Sequence, residues 1–185
     1  IVFHHRHPGP HDGQAGTLVE IHGGTVRAVK DIPWARGTEI EVADLFFNLP
    51  ARRKFLKTEA TEASHVGRLF THYALAWPDR HFSLLSNGRT TIDAPPVQDL
   101  TGRIHQLFGE EFVDGLVPFD ASESAIRFRG FVAKPHQRRA STEAQYFFVN
   151  GRMVRDRLLS GALYYAYRNL IPGVTYPAAI LFLEL

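Results

Sequence analysis

Arg52, Arg53, Lys54 and Lys57 place four cations within six residues, directly after Pro50 and Ala51, with no carboxylate among them. Pro50 fits the first turn of a helix, where its missing N–H does no harm, so Lys57 would stand three and four residues beyond Lys54 and Arg53. Like charges crowded in that way cost a little stability and suit an anionic partner. A second basic stretch, 134–157, holds Lys134, Arg138, Arg139, Arg152, Arg155 and Arg157 against only Glu143 and Asp156. Most of the chain's cations are arginine, whose planar fork matches phosphate. Taken singly, either cluster also reads as an ordinary solvated face.

Other reactive side chains are poorly arranged. Glu110 and Glu111 are adjacent and point in different directions, a poor acid–base pair. Ser141 and Ser160 lack the setting of an activated nucleophile. His4, His5, His7 and His11 are of a metal-ligating type, but their spacing fits no finger and only Asp12 is close, so a solvated loop is expected. The sequence has no cysteine, which excludes disulfides, thiolate catalysis and cysteine-bound zinc. That fits a cytoplasmic location.

The 185 residues carry a net charge of only +2, so nucleic-acid binding would depend on local clustering rather than on bulk charge. A hydrophobic content of 44% is ample for a core. No apolar run approaches the roughly 18 residues that span a bilayer, so no membrane partner is expected.

Several elements must position these groups. Alternation and turn residues predict strands over 17–22 and 25–30 around Gly23–Gly24, and a further strand over 37–42 with one wet face. Leu45, Phe46 and Phe47 form an apolar run that should be buried. A helix over 62–77 would bury Val66, Leu69, Phe70, Tyr73, Ala74 and Trp77. Strands over 82–85 and 90–93 flank Asn87–Gly88, a pair suited to a tight primed turn. Thr101 should cap a short helix that buries Ile104, Leu107 and Phe108 and ends at Gly109. Strands follow over 125–133 and 146–149, the second closed by Asn150–Gly151. Asp156 should cap a helix facing inward through Leu159, Ala162, Leu163, Ala166 and Leu170. The nearly unbroken apolar run 178–185 belongs in the middle of a sheet. This order implies a sheet with helices on one face, while the opening residues read as the end of another sheet.

The stretch 37–59, GTEIEVADLFFNLPARRKFLKTE, resembles the signature of the MutL family of DNA mismatch-repair proteins, in which GT and a strand lead into DLFxNxPARxKFLK. The block 148–167, FVNGRMVRDRLLSGALYYAY, is similar to the same family's VNGRxVRD segment, in the same order. The resemblance runs from Gly37 to the end, and residues 1–36 match no pattern. It implies an α+β chain: a ribosomal protein S5 domain 2-like βα domain over 45–185, preceded over 1–44 by the last strands of a GHKL ATPase sheet.

The resemblance also implies a role. The full protein would be an ATP-dependent clamp that binds DNA without sequence specificity, pairs with a second copy of itself through other regions, and links a MutS-type mismatch sensor to downstream repair factors. ATP and Mg2+ would serve the full-length protein. None is expected on these residues, because the NxxDA helix, the DNGxG turn and the glycine-rich lid of GHKL proteins are not among them. Gly37 and Thr38 match the family's GT motif, whose threonine hydroxyl helps hold adenine. Lys54, Lys57 and Arg157 match basic positions that contribute to DNA binding, with Arg152 and Arg155 beside them. Arg152 has an alternative use in bonding carbonyls of a tight turn, and Arg155 in pairing with Asp156 or with a neighbouring strand. Leu49 departs from the family's threonine, and His72 stands where relatives carry a base, which would weaken a cationic groove near neutral pH. Two other functions fit the composition or the architecture: an S5-like nucleic-acid-binding module without ATPase coupling, and the transducer domain of a type II topoisomerase.

Overall fold

The computed structural model describes residues 2–6, 15–171, 173 and 175–185. The chain divides into two compact units, one running to Thr58 and one from Glu59.

The first unit is built on four strands, β1 (Val2–Arg6), β2 (Ala15–His22), β3 (Thr25–Pro33) and β4 (Gly37–Glu41), in the order β3-β2-β1-β4. All neighbours run antiparallel. Gly23 and Gly24 take positive φ at the β2–β3 turn, as their lack of Cβ permits. β1 extends through His4 and His5, which were expected in a loop, because β2 and β4 take up the hydrogen bonds on both of its sides. His7, His11 and Asp12 lie outside the described residues.

β4 is an edge strand and exposed along its whole length. The half-buried strand read from its alternation is therefore not found, and Ile40 stays 56% exposed. The unit's helix, α1 (Pro50–Arg53), is a single turn with no buried residue, so it forms no layer over the sheet. Leu45 and Phe47 are exposed too, against expectation. Positive φ at Asp44 and Phe46 folds the run into two tight turns, closed by Phe47 N–H to Asp44 O at 2.9 Å and Leu49 N–H to Phe46 O at 3.0 Å. These side chains line an open hollow of about 600 Å³ with Ile21, His22, Gly23 and Gly24 instead of entering a core.

The second unit opens with α2 (Glu59–Ala76) and the hairpin β5 (Phe82–Ser86) and β6 (Arg89–Ala94), whose turn residues Asn87 and Gly88 both have positive φ. Next come α3 (Leu100–Phe108), α4 (Glu110–Asp114), β7 (Leu116–Glu123), β8 (Ile126–Ala133), the short β9 (Arg138–Arg139) and a 3₁₀ turn over Thr142–Ala144. The chain ends through β10 (Gln145–Val149), β11 (Arg152–Val154), α5 (Arg157–Tyr167), β12 (Tyr176–Pro177) and β13 (Ala179–Glu184). The main sheet has the order β11-β10-β13-β8-β7. β13 sits at its centre, parallel to β10 and antiparallel to β8, as its apolar run requires.

Both faces of this sheet are covered, which corrects the one-sided arrangement. Tyr146, Phe148 and Ile180 point to a core completed by Leu75 of α2 and Ile104 of α3. Phe147 and Ala179 point the other way, toward Leu163 and Tyr167 of α5 and toward Ile171. Alternation along β10 and β13 thus feeds two layers of helix.

Three helix details differ from expectation. α2 buries His72, Ala74 and Leu75, while Val66, Leu69, Tyr73 and Trp77 remain exposed. The cap of α3 is Asp99, whose extended backbone lets its carboxylate accept Gly102 N–H at 2.8 Å; Thr101 is already inside the helix. α5 buries Leu163 and Tyr167 and leaves Ala162 and Ala166 exposed, because the Tyr167 ring reaches under the sheet and donates its hydroxyl to Ala133 O; Leu170, expected on the same face, lies beyond the helix end and is exposed.

Candidate functional site

In the first unit, Gly37 opens β4 at φ +136, a conformation that favours glycine, and nothing lies within 4 Å of where a Cβ would stand. Thr38 follows it, exposed on the edge strand and paired in register with His5. Arg52, Arg53, Lys54 and Lys57 are all exposed. α1 is shorter than the cation spacing suggested: Lys54 already caps it, and Phe55 N–H to Arg52 O at 3.0 Å and Leu56 N–H to Arg53 O at 3.2 Å tighten the chain into a turn. Lys57 therefore lies beyond the helix and is not a helical neighbour of Arg53.

In the second unit, Arg152 opens β11 opposite Val149, across a turn made by Asn150 and Gly151 with φ +47 and +75. Asn150 is held from both sides: its N–H donates to Leu183 O at 2.9 Å, and its Oδ1 accepts Leu185 N–H at 3.0 Å. Arg152 is exposed, and among the described residues its side chain makes no hydrogen bond or ion pair. The turn thus stands without the carbonyl contacts considered for it.

Arg155 and Arg157 flank Asp156, the N-cap of α5. The Asp156 Oδ1 accepts Leu158 N–H at 2.7 Å and Leu159 N–H at 3.0 Å. That double capping is the work the carboxylate does, and no ion pair joins it to Arg155. Arg157 occupies the first position of α5, at the positive end of the helix dipole, where a cation is disfavoured. Neither arginine has an ion pair among the described residues.

Both arginines line a hollow of about 460 Å³, together with Arg68, His72, Glu143 and Ser160. Arg68 donates from Nη2 to Glu143 Oε1 at 2.9 Å, which neutralises one cation of the wall. His72 is only 6% exposed and packs on Tyr146, ring centroids 5.1 Å apart. Its Nδ1 donates to the Arg68 carbonyl, which fixes that nitrogen as the protonated one. Burial lowers the imidazole's pKa below the ordinary 6.5; the backbone hydrogen bond opposes this, and the charges of Arg155 and Arg68 add to the lowering. His72 is thus a neutral core residue with an edge on the hollow. It is no open groove cation.

The structure brings Arg155 and Arg157 to one hollow and places Arg152 on the neighbouring strand, while Lys54 and Lys57 belong to the other unit. His72 was read as a groove position that weakens the positive wall, whereas Arg68 was not anticipated in this role. Their spacing with Leu75 at i, i+4 and i+7 is a helical stripe that a purely apolar pattern passes over. No group of three or more histidines and carboxylates suited to a metal occurs among the described residues. No helix there is long and apolar enough to cross a membrane.

Comparison with known proteins converges on one group. The family model of the DNA mismatch repair protein C-terminal domain matches residues 104–185. The DNA mismatch repair protein MutL of Acidobacterium capsulatum is 40% identical over 196 residues, covering 93% of this chain and 30% of that protein. MutL of Anaeromyxobacter dehalogenans is 43% identical over 176 residues, covering 95% of the chain and 29% of the relative. The chain thus spans about 30% of the length of these curated relatives. Among solved structures, the Aquifex aeolicus MutL ATPase domain complexed with ADP superposes with a TM-score of 0.77 at 29% identity, covering 100% of this chain and 66% of that one.

Proposed function

Since the chain belongs to the MutL family of DNA mismatch repair proteins, we propose that it presents the DNA-contacting part of an ATP-dependent clamp, which holds DNA by its backbone and passes mismatch recognition to later repair factors. The observation that carries this reading is Arg157. It stands at the end of α5 where the helix dipole disfavours a cation, is exposed, and has no ion pair among the described residues. Such a placement is disfavoured for stability and suits a phosphate. Arg155 on the same hollow and Arg152 on β11 extend the positive wall, and Lys54 and Lys57 add a second basic segment in the first unit.

Backbone contacts of this kind position a duplex without reading its sequence. That suits a factor that must act wherever a mismatch lies. In the full protein, ATP with Mg2+ would govern closure of the clamp, and the partners would be DNA, a MutS-type mismatch sensor and a second copy of the chain, in the cytoplasm. Of a bound nucleotide these residues would hold only the adenine, through the Thr38 hydroxyl, with Gly37 leaving open space beside it. The NxxDA, DNGxG and glycine-rich-lid motifs from which GHKL proteins supply the groups for water activation and Mg2+ do not occur in these residues.

The experiment is a titration of this chain with random-sequence duplex DNA and with structured RNA at matched salt. Binding to duplexes irrespective of sequence supports the reading. A clear preference for RNA replaces it with an uncoupled S5-like RNA module.

A further inference from the structure

Ser141 stands two residues past the pair Arg138–Arg139, in the connection from β9 to the 3₁₀ turn Thr142–Ala144. The sequence has two adjacent arginine pairs, and only this one is followed two positions later by a hydroxyl, since Arg52–Arg53 leads to Phe55. β9 holds both arginines extended, and Ser141 itself has an extended backbone at φ −142 and ψ 168. Residues 139–143 are exposed. The Ser141 Oγ accepts Glu143 N–H at 3.4 Å and donates to nothing among the described residues, so its proton is free to leave. A single backbone hydrogen bond, Gln145 N–H to Thr142 O, closes the turn that follows.

Ser141 has no base of its own and is no nucleophile by itself. Two cations at the second and third places before an exposed hydroxyl are, however, what a protein kinase with carboxylates in its substrate groove selects. We propose that Ser141 is a phosphorylation site for such an arginine-directed serine/threonine kinase. The Oγ attacks the γ-phosphorus of ATP: the Oγ–P bond forms, the bond to the β-phosphate oxygen breaks, ADP leaves, and the hydroxyl proton passes to the kinase's catalytic aspartate. The product carries a charge of about −1.5 to −2. The chain neighbours Thr142 and Glu143 line the hollow with Arg68, Arg155 and Arg157, so the added charge stands at the rim of the positive wall. Glu143 already holds Arg68, and the phosphate opposes the two remaining arginines. The modification thus weakens the duplex contact proposed above, and for that consequence alone it rests on that reading.

The test is an assay of this chain with ATP, Mg2+ and an arginine-directed protein kinase, read by mass spectrometry of the tryptic peptide 140–152. One phosphoryl group on Ser141 is expected. Ser141→Ala should abolish it, Thr142→Ala should keep it, and the double variant Arg138→Ala/Arg139→Ala should lower the kinase's kcat/KM by roughly 10-fold or more, as charge-assisted contacts are lost. The phosphorylated chain should bind duplex DNA roughly 3- to 10-fold more weakly at low salt, with the difference shrinking as salt screens it. A phosphate that stays off Ser141, or that no longer needs the two arginines, overturns the assignment. Equal duplex affinity of the phosphorylated and unmodified chains overturns its regulatory consequence. If the unmodified chain binds no duplex at all, the duplex reading fails, while the mass of the 140–152 peptide still decides the site.

Discussion

His72 and Tyr146 lie ring against ring at 5.1 Å, one from the C-terminal half of α2 and the other from the sheet beneath it. With Phe148 at 6.5 Å on the same side, the imidazole is enclosed by aromatic carbon and held neutral. A protonated ring there would face Arg68 and Arg155 without a carboxylate of its own.

A pH dependence follows from that neutrality. The folded pKa of His72 lies below 6.5, so as the pH falls the unfolded chain takes up a proton first. The contribution of this site is complete above pH 6.5, declines as the pH drops through the folded pKa, and levels off below it. Urea midpoints measured from neutral to acidic pH should drop more steeply for the unaltered protein than for His72→Phe. Parallel curves would show that His72 titrates normally in the fold.

Arg103 is, beside His72, the other buried side chain of polar type among the described residues, and its task is purely structural. It is 0% exposed. Nη1 donates to Ala94 O at 2.7 Å and Gln106 Oε1 at 2.9 Å, and Nη2 donates to Pro78 O at 2.9 Å and Arg80 O at 2.6 Å. One guanidinium thus ties α3 to the end of β6 and to the loop after α2. Arg103→Met should destabilise the second unit by about 3 kcal/mol or more, because buried carbonyls lose their donor. Arg103→Lys should rescue little, since one ammonium cannot span the fork. Chemical denaturation measures both, and near-native stability of the methionine variant would contradict this role.

Gly130 is irreplaceable for a steric reason. It sits in β8 at φ +139, and a Cβ there would stand 2.0 Å from Ile180 O in the central strand. The obstacle is backbone and cannot rotate away. Gly130→Ala should cost several kcal/mol, on the order of 3 from strain alone, and show as a large fall in melting temperature or as insoluble protein. A soluble variant that melts with the parent would show that β8 and β13 can part locally.

Much of this fold was legible in the sequence because local chemistry and tertiary packing agree. Asn87–Gly88 and Asn150–Gly151 adopt the positive φ their types favour, Asp156 caps α5, and the apolar run of β13 lies where both faces are covered. Legibility failed where distant partners decide. The inward side of α2 passes through Arg68 and His72, which become acceptable there through Glu143, 75 positions on, and the rings of Tyr146 and Phe148. β7 escaped notice because Pro118, Asp120 and Ser122 break the apolar pattern, and all of them are tolerable on an edge strand. The arginines of the candidate site were visible as a cluster, whereas the hollow between α2 and α5 was not, since its walls come from separate parts of the chain.

The capping carboxylate separates stability from binding. Asp156→Ala removes the acceptor of two N–H groups and should cost about 1 kcal/mol. It also takes a negative charge from between Arg155 and Arg157, so duplex affinity should rise at low salt while stability falls. Denaturation and a binding titration on the same variant check the opposite signs. A loss in both would mean that the arginines depend on the cap for their placement.

Charge reversal addresses the proposed DNA interface directly. Every phosphate that is no longer neutralised should flatten the slope of log affinity against log salt by about 0.9 for duplex DNA, whatever its sequence. The double variant Arg155→Glu/Arg157→Glu should therefore reduce the slope by up to about 1.8, and adding Lys54→Glu and Lys57→Glu should reduce it further. These residues are exposed, so circular dichroism and the melting temperature should stay close to the parent's. The slope is the decisive quantity, because a variant that unfolds binds more weakly at every salt concentration, whereas one that releases fewer counterions becomes less sensitive to salt. An unchanged slope with an intact fold would remove these cations from the interface and return them to the status of a solvated surface.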